Sequence, residues 1–214
     1  MAMICGIDEA GRGPLLGPLV VCGFMIEEKN LSELEKLGVT DSKLISPKKR
    51  KAMFEHLTKY SHHVVISSPQ EIDFALTDPN LNLNWLEALS SAKIINNLAP
   101  KKVFVDCPST NIPDYRKYIK EHLNVDCEVV CEHKADLKYL VAGAASIIAK
   151  VTRDDEIEKL KEIYGDLGSG YPSDPKTKLF LEQNYDKCPE IFRKSWQCYK
   201  NIIEQKTQKS LGDF

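Results

Sequence analysis

Short apolar segments of the chain run into acidic residues at several separate places. The acids that follow these segments are Asp8, Glu9, Asp106 and Asp136. Carboxylates at the ends of neighbouring strands can converge, and clustered like charges raise one another's pKa unless a cation neutralises them. Oxygen ligands favour Mg²⁺ or Mn²⁺ over zinc. The pattern therefore predicts a divalent-cation site, and two ions bound there would suit hydrolysis of a phosphodiester.

The simpler interpretation of each acid is a solvated loop residue at a strand end, and only the combination favours a metal site. Asp8 and Glu9 also raise a geometric question, because adjacent strand residues point to opposite faces of a sheet. We therefore expect the strand to end between them, with the glycines at 11 and 13 forming the turn.

The segment Gly11-Arg12-Gly13-Pro14 predicts a tight loop. Its bare main chain can approach a sugar or phosphate closely, and Arg12 adds a charged donor. A dinucleotide-binding turn would need a third glycine, which is absent here because proline follows Gly13.

A basic segment begins after Asp41-Ser42-Lys43, and Ser46-Pro47 marks the start of a helix. Its first turns carry four cations, which the helix macrodipole disfavours at that end. Either a nucleic-acid phosphate compensates them or they form a solvated helix face, and the sequence leaves both interpretations open.

The remaining pattern predicts strands alternating with helices, hence an α/β layered core with a helical C-terminal lobe. Residues 3–8 and 19–26 are typical of a hairpin. Further strands are expected at 63–67, 103–105 and 126–131, and helices at 46–60, 83–98, 140–164, 176–185 and 196–206. We divide the chain into a catalytic domain at 1–165, a helical region at 166–206 and a tail at 207–214.

Composition excludes a few classes of protein. The net charge of −2 over 214 residues means that nucleic acid would have to bind through a local basic face. No apolar run is long enough to span a membrane, and the seven cysteines include no CxxC pair. We expect a cytoplasmic protein that makes no membrane contact and acts as a monomer.

Several motifs, in order along nearly the whole chain, resemble those of type 2 ribonuclease H, the ribonuclease HII family, in its archaeal form. They are Gly-Ile-Asp-Glu-Ala-Gly-Arg-Gly-Pro at 6–14, Asp-Ser-Lys at 41–43, Val-Asp at 105–106, His-Lys-Ala-Asp at 133–136, Ala-Ala-Ser-Ile-Ile-Ala-Lys-Val-Thr-Arg-Asp at 144–154 and Gly-Ser-Gly-Tyr-Pro-Ser-Asp-Pro at 168–175.

This resemblance implies a mixed five-stranded ribonuclease H sheet flanked by helices. It also implies a catalytic metal site built from Asp8, Glu9, Asp106 and Asp136, which would bind two Mg²⁺ or Mn²⁺ ions. The implied reaction is cleavage 5′ of ribonucleotides in RNA-DNA hybrids, at RNA-DNA junctions and at single ribonucleotides in duplex DNA, leaving a 3′-hydroxyl and a 5′-phosphate.

The same resemblance assigns substrate contacts. Gly11, Arg12 and Gly13 would read the 2′-hydroxyl through their main chain, which distinguishes RNA from DNA. Tyr171 would pack on the sugar of the following deoxynucleotide. Softer candidates for phosphate contacts are Lys43, Lys134 and Arg153, whereas Lys150 is equally consistent with a structural ion pair.

The chain ends in a sequence that resembles the peptide with which proteins bind the sliding clamp PCNA. Gln208, Leu211 and Phe214 recur at every third residue, so one helical turn would present them together.

Two other classes of function remain open. One is a non-catalytic nucleic-acid or sliding-clamp adaptor, and the other is a phosphotransferase of the actin and sugar-kinase type, for which 214 residues leave little room.

Overall fold

The structure is a computed structural model that describes residues 2–40, 42 and 45–212, with side chains through 206 and at Gln208. Three predicted binding positions therefore lie outside the described residues or side chains: Lys43, the side chain of Leu211, and Phe214.

A mixed five-stranded sheet forms the centre of the fold, in the order β3-β2-β1-β4-β5. Strand β1 pairs antiparallel with β2 and parallel with β4, which in turn pairs parallel with β5. This confirms the predicted hairpin and the mixed ribonuclease H-like sheet. The strands are β1 Met3–Ala10, β2 Leu19–Glu27, β3 Ser61–Ser67, β4 Lys102–Asp106 and β5 Glu128–Glu132.

Helices fill most of the remaining described chain, and the predicted helices at 46–60, 83–98, 140–164 and 176–185 are confirmed within a few residues. The α-helices are α1 Leu31–Leu37, α2 Pro47–Leu57, α3 Pro69–Thr77, α4 Leu83–Leu98, α5 Ile112–Glu121, α6 Ala135–Lys138, α7 Leu140–Tyr164, α8 Pro175–Asn184 and α9 Gln197–Gly212. None of these helices is both long and apolar enough to cross a membrane, among the residues described.

Helices α1, α3, α5 and α6 were not predicted from the sequence, although α3 begins with a recognisable helix-start motif. The Ser68 hydroxyl accepts from the Glu71 N–H while the Glu71 carboxylate accepts from the Ser68 N–H, a capping box. The predicted end of α9 at 206 is wrong, because the helix continues to Gly212. No glycine or proline interrupts it earlier.

Close packing of β1 on the start of α7 explains the small residues there. A Cβ added to Gly6 would lie 2.1 Å from both the Ala142 nitrogen and the Val141 carbonyl carbon. Strand and helix backbones can approach this closely only because position 6 has no side chain. This packing anchors the strand that carries Asp8 and Glu9.

Two compact units make up the described chain. The first contains the described residues of Met1–Ala10, Val20–Ile66 and Leu83–Arg153, with a core of β1, β2, α1, α2 and α7 side chains such as Phe24, Leu57 and Ile147. The second contains those of Gly11–Leu19, Ser67–Asn82 and Asp154–Phe214, and its own core includes Leu16, Leu167 and Phe192. The predicted domain boundaries at 165 and 206 stay predictions.

Candidate metal and nucleic-acid site

Three of the four predicted acids meet at one edge of the sheet. Asp8 and Glu9 lie near the end of β1, and Asp106 is the last residue of the neighbouring parallel strand β4. Carboxylate oxygens of the three residues all lie within 4.8 Å of one another. Asp8 is buried, with 5% of its surface exposed, while Glu9 and Asp106 are half-buried. The sheet therefore assembles an oxygen-only cluster.

The expectation that the strand ends between Asp8 and Glu9 is wrong. Strand β1 continues to Ala10, which pairs with Val20 of β2. The ladder with β4, however, reaches only to Ile7, so β1 has an open edge from Asp8 onward. There the Asp8 Oδ1 accepts a 2.7 Å hydrogen bond from the main-chain N–H of Glu9. The two carboxylates meet at this open edge without a turn in the chain.

The turn that follows β5 brings the segment just before Asp136 to this edge. The Ala135 N–H donates to the Asp106 Oδ1 at 2.9 Å, so the chain immediately before Asp136 is bound to the acid of β4. Lys134 adopts a left-handed conformation with φ of 57°, which starts α6 at this point. Asp136 is buried at 9% exposure and, although described, does not belong to the three-acid set.

A second contact ties the ends of β4 and β5 together. A 2.8 Å hydrogen bond joins the His133 Nδ1 to the main-chain oxygen of Cys107. Cys107 directly follows Asp106, and His133 lies three residues before Asp136. This bond therefore connects the two chain segments that carry these predicted metal ligands.

The charge of the cluster acts most strongly on Asp8. Burial raises the pKa of its carboxyl well above the ordinary value, and repulsion from Glu9 and then from Asp106 raises it further. Hydrogen bonds from Ser146 and from the Glu9 N–H oppose that rise. An acid held in this environment favours either a proton or a cation as its partner.

The donors present fit a divalent cation. They are hard carboxylate oxygens, they converge within one coordination sphere, and their mutual repulsion disappears when a cation binds. The described cluster contains neither histidine nor thiolate, which matches Mg²⁺ or Mn²⁺ better than zinc.

In the second unit, Arg193 organises the predicted substrate loop. Its guanidinium is fully buried and donates to the main-chain oxygens of Gly11 at 2.6 Å, Arg12 at 3.0 Å, and Gly17 at 3.0 and 3.1 Å. It also stacks on the Trp196 ring, 4.9 Å from the centroid. The loop is thus held by its carbonyl oxygens.

Tyr171 lies beside this loop. A Cβ added to Gly13 would meet the Tyr171 Cε1 at 3.8 Å, so the tyrosine ring and the bare main chain of Gly13 are neighbours. The Leu15 N–H donates to the Gly170 oxygen at 2.8 Å, which joins the two segments. Tyr171 keeps 38% of its surface exposed, and Gly13 is exposed as well.

The four cations at the start of α2 differ in burial. Arg50 is buried at 8% exposure and donates to the main-chain oxygens of Ser42 and Ile45, so its partners in the structure are carbonyls of its own chain. Carbonyl dipoles thus compensate this cation. The other cations of that turn are exposed, namely Lys48, Lys49 and Lys51.

The softer candidates also separate by burial. Lys134 is exposed to solvent, whereas Arg153 has only 3% of its surface exposed. Lys150 is half-buried on α7.

The polar residues that support the site were not predicted from the sequence. Arg193 follows the apolar pair Ile191-Phe192, and that position is a weak sequence signal for a buried arginine. Ser42 and Ser146 lay inside recognised motifs but were not singled out. Buried hydroxyls carry little sequence signal, because serine is common on surfaces.

The sheet and its acidic edge define the class: a divalent-metal-dependent nuclease with a ribonuclease H-like fold. The family model "Ribonuclease HII" matches residues 5–199. The chain is 44% identical to ribonuclease HII of Pyrococcus furiosus, across 99% of this chain and 97% of the relative. This protein therefore belongs to the ribonuclease HII family and is a metal-dependent ribonuclease H with endonuclease activity.

Solved structures agree with this assignment. Ribonuclease H2 from Pyrococcus horikoshii OT3 superposes with a TM-score of 0.87 at 42% identity, covering 95% of this chain and 98% of that one. The PCNA:RNase HII complex from Archaeoglobus fulgidus contains a chain that matches with a TM-score of 0.83 at 39% identity, covering 91% and 95%.

Proposed function

We propose that this enzyme cuts the phosphodiester 5′ of ribonucleotides in RNA-DNA hybrids and at RNA-DNA junctions, including single ribonucleotides in duplex DNA. The observation that carries the proposal is the convergence of Asp8, Glu9 and Asp106 within 4.8 Å at the sheet edge. The products are a 3′-hydroxyl and a 5′-phosphate.

Asp8, Glu9, Asp106 and Asp136 hold two Mg²⁺ or Mn²⁺ ions in this proposal. Ions held there would supply activation of water and charge neutralisation at the leaving oxygen. Asp8 and Glu9 are supplied by β1, and Asp106 by β4. Asp136, in the first turn of α6, would be the fourth ligand. Three of these carboxylates, those of Asp8, Glu9 and Asp106, already lie close enough together to share a cation.

Recognition of the ribonucleotide falls to Gly11, Arg12 and Gly13 in this proposal. Arg193 holds the loop through the carbonyl oxygens of Gly11 and Arg12, and main-chain N–H groups of the loop would donate to a 2′-hydroxyl. The exposed ring of Tyr171 packs on the sugar of the next nucleotide, where a deoxyribose without a 2′-hydroxyl fits more closely. Lys43 is proposed to contact a phosphate.

The test is cleavage of a DNA duplex with one embedded ribonucleotide, with the cut mapped by denaturing electrophoresis. The expected product ends at the nucleotide before the ribonucleotide. Asp106→Asn is the matched inactive variant, because its Oδ1 still accepts from the Ala135 N–H while the ligand charge is lost. Equal cutting of an all-DNA duplex, or full activity of Asp106→Asn, would contradict the proposal and favour the adaptor alternative.

A sliding clamp is the proposed partner of the C-terminus, and the protein acts as a monomer. The matching Archaeoglobus fulgidus protein was solved in complex with PCNA. In this chain the main chain of α9 is helical through Gly212, and Gln208 is exposed. Gln208, Leu211 and Phe214 are the proposed contacts.

Removing residues 208–214 tests the partner. The truncated protein should lose binding to a sliding clamp in calorimetry while it cuts free duplex at the normal rate. Unchanged clamp affinity would remove the tail from the proposal.

A further inference from the structure

Two buried serines connect the Asp41-Ser42-Lys43 motif to the acidic cluster. Ser42 and Ser146 are 3% and 5% exposed, and their Oγ atoms lie 2.8 Å apart. Ser146 lies on α7, and its side chain is also hydrogen-bonded to the Asp8 carboxylate. The three side chains thus form one continuous chain of hydrogen bonds.

The chemistry of the groups gives this chain a direction. When a cation is bound, Asp8 is ionised and its carboxylate only accepts hydrogen bonds, so the Ser146 hydroxyl then donates its single proton to Asp8. The Ser146 oxygen is then the acceptor in the contact between the serines. Ser42 must therefore donate to Ser146, and the proton order runs from Ser42 through Ser146 to Asp8.

Arg50 fixes the far end of the chain. Its Nε and Nη2 donate to the main-chain oxygen of Ser42 at 3.0 and 2.8 Å, and its Nη2 also donates to the Ile45 oxygen at 2.8 Å. Charge-assisted hydrogen bonds of this kind are stronger than neutral ones. Ser42 is consequently anchored through its own backbone, independently of Asp8.

We propose that Ser146 and Ser42 are positioning residues that hold the Asp8 carboxylate in its cation-binding orientation, a role that rests on the proposed function. Asp8 already accepts from the Glu9 N–H through Oδ1. A second donor on another element restricts the rotation of the carboxylate. Groups that orient metal ligands in this way act on metal affinity without touching the metal.

The first test measures Mn²⁺ binding to the whole protein by calorimetry. Ser146→Ala should weaken Mn²⁺ binding about tenfold, and Ser42→Ala should weaken it less. Ser90→Ala is the matched control, since Ser90 is also 5% exposed but donates only to the Leu86 oxygen of its own helix at 2.9 Å. Its affinity for Mn²⁺ should equal that of the unaltered protein.

Ser146→Cys separates the hydrogen bond from the packing, because the thiol fills similar space but is a weak donor. We expect weakened Mn²⁺ binding here also, with a thermal midpoint near that of the unaltered protein. Full Mn²⁺ affinity in Ser146→Cys would overturn the proposal, even if Ser146→Ala proved too unstable to measure.

A double-mutant cycle tests the order of the chain. Ser42→Ala should have no further effect on Mn²⁺ affinity in a Ser146→Ala background, because Ser42 acts through Ser146. Additive losses would overturn the relay. If the unaltered protein binds Mn²⁺ but does not cut a ribonucleotide duplex, the proposed function fails. The Mn²⁺ affinities of the four proteins in the cycle can still be compared in that case. If it cuts and the losses add, only the relay fails.

Discussion

Arg193 donates from Nη2 to the main-chain oxygen of Gly11 at 2.6 Å, although the two residues are 182 positions apart in the chain. The same guanidinium also donates to the main-chain oxygens of Arg12 and Gly17. One buried side chain therefore holds several carbonyl groups of this glycine-rich loop in place. Preorganisation of a binding loop lowers the entropy lost when substrate binds. If the loop reads the ribonucleotide as proposed, Arg193 should act on recognition through the loop.

Arg193→Lys should lower the free energy of unfolding by about 3 kcal/mol, because a lysine keeps the charge but cannot form the forked set of hydrogen bonds. Urea unfolding measures this loss, and the KM for a ribonucleotide duplex should rise in parallel. Arg116→Lys, on the exposed face of α5, is the control and should change neither quantity. Unaltered stability of Arg193→Lys would mean that other contacts hold the loop.

The two glycines of the loop should respond differently to alanine. Gly11 has a φ of 89°, so Gly11→Ala should cost about 1–2 kcal/mol of stability. Gly13 has no such φ, and an added Cβ would make only an ordinary contact with Tyr171 at 3.8 Å.

Gly13→Ala should therefore keep its stability within about 0.5 kcal/mol while losing activity on a single-ribonucleotide duplex, because the new methyl group occupies the place where the sugar approaches. Comparing urea midpoints with cleavage rates separates the two effects. Normal cleavage by Gly13→Ala would show that the substrate does not approach the loop at this position.

Sequence alone predicted the sheet, the long helices and the three acids that converge. Hydrophobic periodicity indicated the strands and helices, and acidic residues at strand ends indicated the site. It did not predict how Asp8 and Glu9 share a site. That answer depends on where the ladder between β1 and β4 stops, at Ile7 and Val105, which is a property of strand register. Register is a property of two paired strands, and no hairpin turn connects β1 to β4 to fix it, so neither segment read by itself gives the last paired residue.

Supporting contacts were equally hard to predict. The sequence left open whether Arg50 and its lysine neighbours contact phosphate or form a solvated helix face. In the structure the side chain of Arg50 instead turns inward to the Ser42 and Ile45 oxygens. Which cation of a basic turn becomes buried follows from the helix's position against the loop, and no spacing rule supplies that position.

Gly6→Ala should destabilise the protein by about 3 kcal/mol, because the added methyl group would lie 2.1 Å from backbone atoms of α7 that cannot move aside as a side chain could. Thermal unfolding measures the loss. Ala2→Gly, at an exposed position before β1, is a control for composition and should leave the midpoint nearly unchanged. A stable Gly6→Ala variant would show that strand and helix can separate here.

Metal removal should make stability depend on pH through Asp8. Burial and the nearby charges of Glu9 and Asp106 raise the Asp8 pKa above its ordinary value of 3.8, so above that value the metal-free folded protein keeps a proton that the unfolded chain has released. Stability should therefore be greatest at low pH with respect to this group, and fall as the pH rises through the raised pKa. Asp8→Asn should flatten that part of the curve.

Adding Mg²⁺ should oppose this fall of stability with rising pH, because the cation binds the deprotonated carboxylates and stabilises only the folded protein. The gain in urea midpoint on adding MgCl₂ should accordingly grow with pH in the unaltered protein and be much smaller in Asp8→Asn. Asp114→Asn, at an exposed position on α5, keeps the cluster intact and should behave like the unaltered protein. A gain from Mg²⁺ that is the same at every pH would mean that Asp8 does not exchange its proton for the cation.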